Sequence, residues 1–168
     1  NGQILGNTPY PDILKSFTKA ISKVSTWTSL WKIANLTDTV SDQDQITTLL
    51  RTYGAVLSTR SLPSVLNLYT TDGVLMAPNF APSVGQEALK KSYERIFSTI
   101  KLDIQFTIDE IVVMDDKWAF ARTTAEGTKY WIEKGTQESH HNQEIFVCRK
   151  DEGEWKIARY CFSSMKAL

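Results

Sequence analysis

The chain has 168 residues, 42% hydrophobic and 11% aromatic, enough apolar material for one domain with a real core. Lys and Arg number 19 and so do Asp and Glu, so the formal charge is zero; this argues against nucleic acid as a partner, which wants a basic face, and gives no reason to invoke an anionic membrane surface. No apolar run approaches the roughly 18 residues of a membrane helix, and no charged region followed by an apolar one marks a signal peptide.

Residues 1–11 carry Gly2, Gly6 and Pro9 and read as a lead-in. From Asp12 the pattern turns helical, with Ile13, Phe17, Ile21, Val24, Leu30 and Trp31 recurring near the helical period. Lys15, Lys19, Lys23 and Lys32 occupy the polar side, and Trp27 and Trp31 form an apolar end that must be buried on something. The spacing therefore divides the chain into an N-terminal extension, 1–40, and a main domain, 41–168. The sequon Asn35-Leu36-Thr37 matters only in a secreted protein.

Ser41 is a good N-cap, with Asp42 and Asp44 in the first turn that follows. Ile46, Leu49, Leu50, Tyr53, Val56 and Leu57 then form one apolar stripe. A short helix follows Ser61, with Pro63 early in it, and runs to Leu68. Thr71-Asp72-Gly73 reads as a turn, and Val74-Leu75-Met76 as a short buried strand ended by Pro78. Asn79 to Ser83 reads as a loop. After Gly85 a further helix places Leu89, Tyr93, Ile96 and Phe97 inside.

The remainder is an antiparallel meander: Leu102 to Met114, Lys117 to Trp131, Gln137 to Arg149 and Glu154 to Phe162. Asp115-Asp116, Glu133-Lys134-Gly135 and Lys150-Asp151-Glu152-Gly153 supply the turns. If Lys150 faces Glu154, then Glu144 opposes Tyr160, Phe146 opposes Ala158, and Cys148 and Cys161 lie on opposite faces, which argues against a disulfide framework. If Met114 faces Lys117, Phe120 opposes Ile111 and Arg122 opposes Asp109.

Three stretches carry a resemblance: L-Y-T-T-D-G-V-L-M-A-P at 68–78, A-F-A-R-T at 119–123, and E-I-F-V followed by W-K-I-A-R-Y between 144 and 160. Together with the order of elements they resemble nuclear transport factor 2-like proteins, in particular the SnoaL-like and SgcJ/EcaC-type members, over residues 42–164. The resemblance implies an α+β fold, a cone-shaped, curved antiparallel sheet packed on three to four helices, here with an extra N-terminal amphipathic helix. It also implies a cavity. Laid on this chain, the ketosteroid isomerase pattern puts its helical oxyanion donor on Tyr53 and its protonated acid near Glu144. The carboxylate base of that pattern falls on Ala77, which has no group to carry a proton.

Register and resemblance together place Phe120, Arg122, Thr124 and Glu126 on the concave face with Glu144, Phe146, Ala158, Tyr160 and Phe162. Met76 joins them as a ligand contact. That is an aromatic wall with a few polar groups, the make-up of a small-molecule pocket or of a filled core. Arg122, paired with Glu144 or Asp109, is either a structural ion pair or the anchor of a ligand's carboxylate, enolate or phenolate. Tyr53, Glu144 and Arg122 are the candidate catalytic residues, with Tyr160 and Tyr69 as further hydroxyl donors. His140 and His141 point to opposite faces of a strand and have no third ligand, so no metal and no cofactor are expected; a rim position suits them.

The expected partner is a small apolar or amphipathic molecule with one polar end, undergoing an isomerisation, cyclisation or similar acid–base step. The alternative is a non-catalytic oligomerisation or carrier module, docking a partner through the basic N-terminal helix. A homodimer is expected through the convex face, with Phe106, Ile108 and Val112, or Ile157 and Cys161, supplying its apolar surface.

Overall fold

The computed structural model describes residues 40–165. The amphipathic helix expected from Asp12, its tryptophan end and the sequon lie outside the described residues.

Helix α1 spans Asp42–Thr59. The Ser41 hydroxyl oxygen accepts from the Asp44 amide at 3.1 Å, which satisfies one orphan donor of the first turn. The whole stripe from Ile46 to Leu57 is buried, each fully covered aliphatic side chain contributing about 1.5–3 kcal/mol. Helix α2, Leu62–Asn67, has its proline in the first turn, where no amide is needed. Then come β1 (Tyr69–Met76), β2 (Ser83–Val84), helix α3 (Gly85–Thr99), β3 (Ile100–Val113), β4 (Trp118–Trp131), β5 (Thr136–Asp151) and β6 (Glu154–Ser164).

One six-stranded sheet runs in the order β2-β1-β6-β5-β4-β3. Strands β3 to β6 form the antiparallel meander, and the helices cover its inner face. This is the α+β cone. Two details differ from expectation. Strand β1 pairs with β6 in parallel, because the chain reaches the sheet through helices rather than a hairpin. And Thr71-Asp72-Gly73 is no turn: it lies inside β1, as an irregularity between Tyr69 and Val74.

The registers also differ. At the β3–β4 turn, the Met114 amide donates to the Trp118 carbonyl, and Asp115 Oδ1 accepts from the amides of Lys117 and Trp118. Met114 thus faces Trp118 rather than Lys117, and Arg122 faces Glu110 rather than Asp109. At the β5–β6 turn only Glu152 and Gly153 form the loop, both with positive φ, the two-residue geometry that matches strand twist. Pairing there slips by one residue. A bulge between Val147 and Cys148 adds a second, so Phe146 faces Tyr160 and Glu144 faces Phe162.

Phe106 and Ile108 are not on the convex face. The Phe106 ring lies against α1, in contact with Tyr53 and close enough to Gly54 that a Cβ there would stand 3.0 Å from the Phe106 Cβ. Ile108 packs on the same core. Ile157 is buried too, opposite Cys148. The outer face instead aligns Val112, Phe120 and Val147 in one row and Arg122, Ile145 and Cys161 in the next. Cys148 faces inward and Cys161 outward, and both are free.

Candidate functional site

The inner sheet face and the helices enclose a cavity of about 530 Å³. Its mouth is built where strand ends gather: Ile100 at the start of β3, Lys129 and Trp131 late in β4, Ser139 to Asn142 early in β5, and Ser164 at the end of β6. The C-terminal part of α3 and the loop from Ala77 to Ala81 complete the rim. Gly127 in β4 has a φ of 149° that only glycine adopts readily, and its missing side chain lets the Asp103 carbonyl approach. Aliphatic groups of Leu57, Leu75, Ile96, Leu102 and Ile104 line the walls.

Glu144 lies in this cavity and is the sole carboxylate among the described residues that line it. Its side chain is buried. One oxygen accepts from the Thr123 hydroxyl at 2.5 Å and the other from the Tyr160 hydroxyl at 2.8 Å. Burial disfavours its charged form and pushes the carboxyl up to about 7, against the opposing pull of those two hydrogen bonds. The group is therefore divided between acid and base near neutral pH, which is what a proton carrier requires.

Behind it stands a set of neutral phenols. The hydroxyls of Tyr53 and Tyr93 are 3.0 Å apart, and those of Tyr93 and Tyr69 2.8 Å apart. Burial raises all of them, and Tyr160 as well, so each remains a donor across the ordinary pH range. Tyr53 reaches the cavity from α1, Tyr93 from α3 and Tyr160 from β6, and the Tyr53 ring meets that of Tyr160 edge-on at 5.2 Å.

Of the residues singled out from the sequence, Tyr53, Glu144, Tyr160 and Phe162 meet in the cavity. Phe146 is buried behind them, its ring stacked on Tyr160 with centroids 4.2 Å apart. Ala158 is buried at the β6 irregularity, and Met76 is exposed between two lining residues, Leu75 and Ala77. Phe120, Arg122, Thr124 and Glu126 fall on the outer face instead. Arg122 is half exposed and pairs with Glu110 at 2.8 Å; Thr124 donates to Asp109; Glu126 meets His141 Nε2 at 2.6 Å. The cause is the period of two along a strand: β4 turns Ala119, Ala121, Thr123 and Ala125 inward, so the alternate set faces out.

Three contributors escaped the sequence reading. Thr123 was overshadowed by its neighbour Arg122. The Tyr93 hydroxyl was hidden in an apolar helix stripe. Asn142, buried at the rim, carried no motif. Ala77 does line the cavity, with no carboxylate in its place. Cys148 is pushed up to about 12 by burial and has no nucleophilic character.

A conical sheet on helices with a lined cavity defines a class, and the comparisons narrow it. Residues 50–160 match the SnoaL-like domain, and the chain belongs to that family. A ketosteroid isomerase-like protein from Erwinia carotovora atroseptica is 34% identical, over 73% of this chain and 95% of that one, with a TM-score of 0.70. A conserved protein from Planctomyces limnophilus is 20% identical over 74% of this chain and 98% of its own, TM-score 0.65. A "Putative Scytalone Dehydratase" from Novosphingobium aromaticivorans is 19% identical over 74% and 84%, TM-score 0.65. The last two share the fold alone. No curated protein matches the chain.

Proposed function

We propose that the cavity binds a small apolar molecule with one polar end and transfers a proton within it, in an isomerisation, cyclisation or dehydration. The observation that carries this reading is Glu144, the one buried carboxyl among the described residues, poised near neutrality in a largely apolar cavity. Glu144 is the proton carrier. Tyr53 is the donor that stabilises developing negative charge on the ligand's oxygen: when Tyr69 donates to Tyr93 and Tyr93 to Tyr53, the Tyr53 proton is left for the ligand. Tyr160 and Thr123 hold the carboxyl in place. The names of the isomerase-like and dehydratase neighbours are in keeping with acid–base chemistry of this kind.

The test is proton exchange. Apolar cyclic ketones incubated with the protein in deuterated buffer are expected to incorporate deuterium at the carbon next to the carbonyl, and Glu144→Gln to abolish it. Exchange that survives the substitution, or none with the native protein across such ketones, overturns the catalytic reading.

Ala77 favours a second reading, a carrier of the same fold, since the cavity then holds one proton-transferring carboxyl where the isomerase pattern has two acids. Tight binding without exchange distinguishes it. The homodimer remains part of the proposal, its apolar surface now Val112, Phe120, Ile145 and Val147; light scattering at micromolar concentration that returns one chain's mass would sink it.

A further inference from the structure

Arg95 lines the cavity mouth from α3. Its guanidinium carbon lies 3.9 Å from the centre of the Phe80 ring, which projects from the rim loop and is largely exposed. At that distance the ring lies over the guanidinium, and among the described residues its N–H donors have no hydrogen-bond partner. Of the other basic side chains at the mouth, Lys129 pairs with Glu138 at 2.5 Å and His141 with Glu126 at 2.6 Å. Among the described residues no carboxylate comes within ion-pairing distance of Arg95. An arginine resting over an aromatic ring at the lip of an apolar cavity, with no carboxylate partner among the described residues, is the arrangement that receives an anion.

The floor of the cavity reinforces the direction. Glu144 is buried in it, and in its ionised form the carboxylate repels an anion placed beside it. A ligand's permanently negative group is therefore better placed at the mouth beside Arg95, with its apolar body along Leu57, Leu75 and Ile104.

We propose that Arg95, backed by Phe80, is the specificity-determining anchor of this cavity and that its ligands are organic anions: apolar or aromatic molecules bearing a carboxylate or a similar acidic group at one end. The inference rests on the cavity being a ligand site, as argued above, and adds the charge of what enters it.

Two fluorescent probes with one aromatic frame test it: anilinonaphthalene sulfonate, an anion, and phenylnaphthylamine, its uncharged counterpart. The native protein is expected to bind the anionic probe about tenfold more tightly, with an affinity that falls as salt rises. Arg95→Gln is expected to remove that preference, weakening the sulfonate about tenfold and leaving the neutral probe within about twofold. Arg95→Lys restores the salt dependence but not the full affinity, because a point charge replaces a planar pair of donors. Equal binding of both probes by the native protein, or equal loss of both in Arg95→Gln, overturns the anchor while the cavity stands. Failure of the native protein to bind either overturns the cavity reading together with the anchor.

Discussion

The Tyr160 hydroxyl donates to Glu144 at 2.8 Å while the Tyr160 ring lies nearly parallel to Phe146. The stacked ring fixes the phenol, and the phenol fixes the carboxyl. Burial still prevails over that bond and holds Glu144 near 7, above its ordinary 4.5. A carboxyl raised in the folded state binds its proton more tightly there than in the unfolded chain. Its stabilising share is complete below about pH 4.5 and is lost as pH rises through 7, on the order of 3 kcal/mol in all. Urea unfolding is therefore expected to give a lower midpoint at pH 8 than at pH 5 for the native protein, and a much flatter response for Glu144→Gln. Identical midpoints for the native protein at both pH values would remove the basis for a poised carboxyl.

Tyr93→Phe deletes the middle of the phenol chain. Tyr53 and Tyr69 each lose their partner inside the core, at a cost of about 1–3 kcal/mol for a buried polar group left unpaired. Thermal unfolding should show the loss. Tyr53→Phe is expected to cost less stability and more ligand affinity, since it removes the group that faces the cavity; the reverse ranking would mean the chain is structural only.

Arg122→Ala is expected to leave both the unfolding midpoint and probe binding unchanged. The side chain is exposed and its pair with Glu110 stands in water on the outer face, where such pairs contribute little. A loss of ligand binding in this variant would contradict the face assignment of β4.

Gly127→Ala is expected to destabilise by about 1–3 kcal/mol or more, because alanine rarely adopts this backbone conformation and its Cβ would meet the Asp103 carbonyl. Chemical denaturation measures it. A neutral effect would mean that this position of β4 tolerates ordinary residues.

The elements themselves were legible. The stripe from Ile46 to Leu57 could be nothing but a helix face, and the alternation from Ile104 to Ile108 nothing but a strand. What the chain does not display is which way a strand faces when its inner residues are small. In β4 the inward set is three alanines and a threonine, while the outward set holds Phe120 and Arg122, so the bulky residues attract the eye to the wrong side. Bulges are equally silent: nothing in Val147-Cys148 or Ile108-Asp109-Glu110 announces an unpaired residue. Tyr160 and Phe162 share the face of Glu144, as expected, because two one-residue slips, at the turn and at the bulge, add up to two and so preserve parity.

That even total constrains how the β5–β6 hairpin can change length. Faces depend on parity. Removing one residue from the Glu152-Gly153 tip, with the bulge kept, would reverse every side chain of β6 relative to β5, sending Tyr160 and Phe162 outward and stripping Glu144 of its phenol. Removing two would shorten the arm and leave the inner wall intact. The hairpin is thus free to grow or shrink in even steps, and each odd step demands that the irregularity near Ala158 be made or erased at the same time.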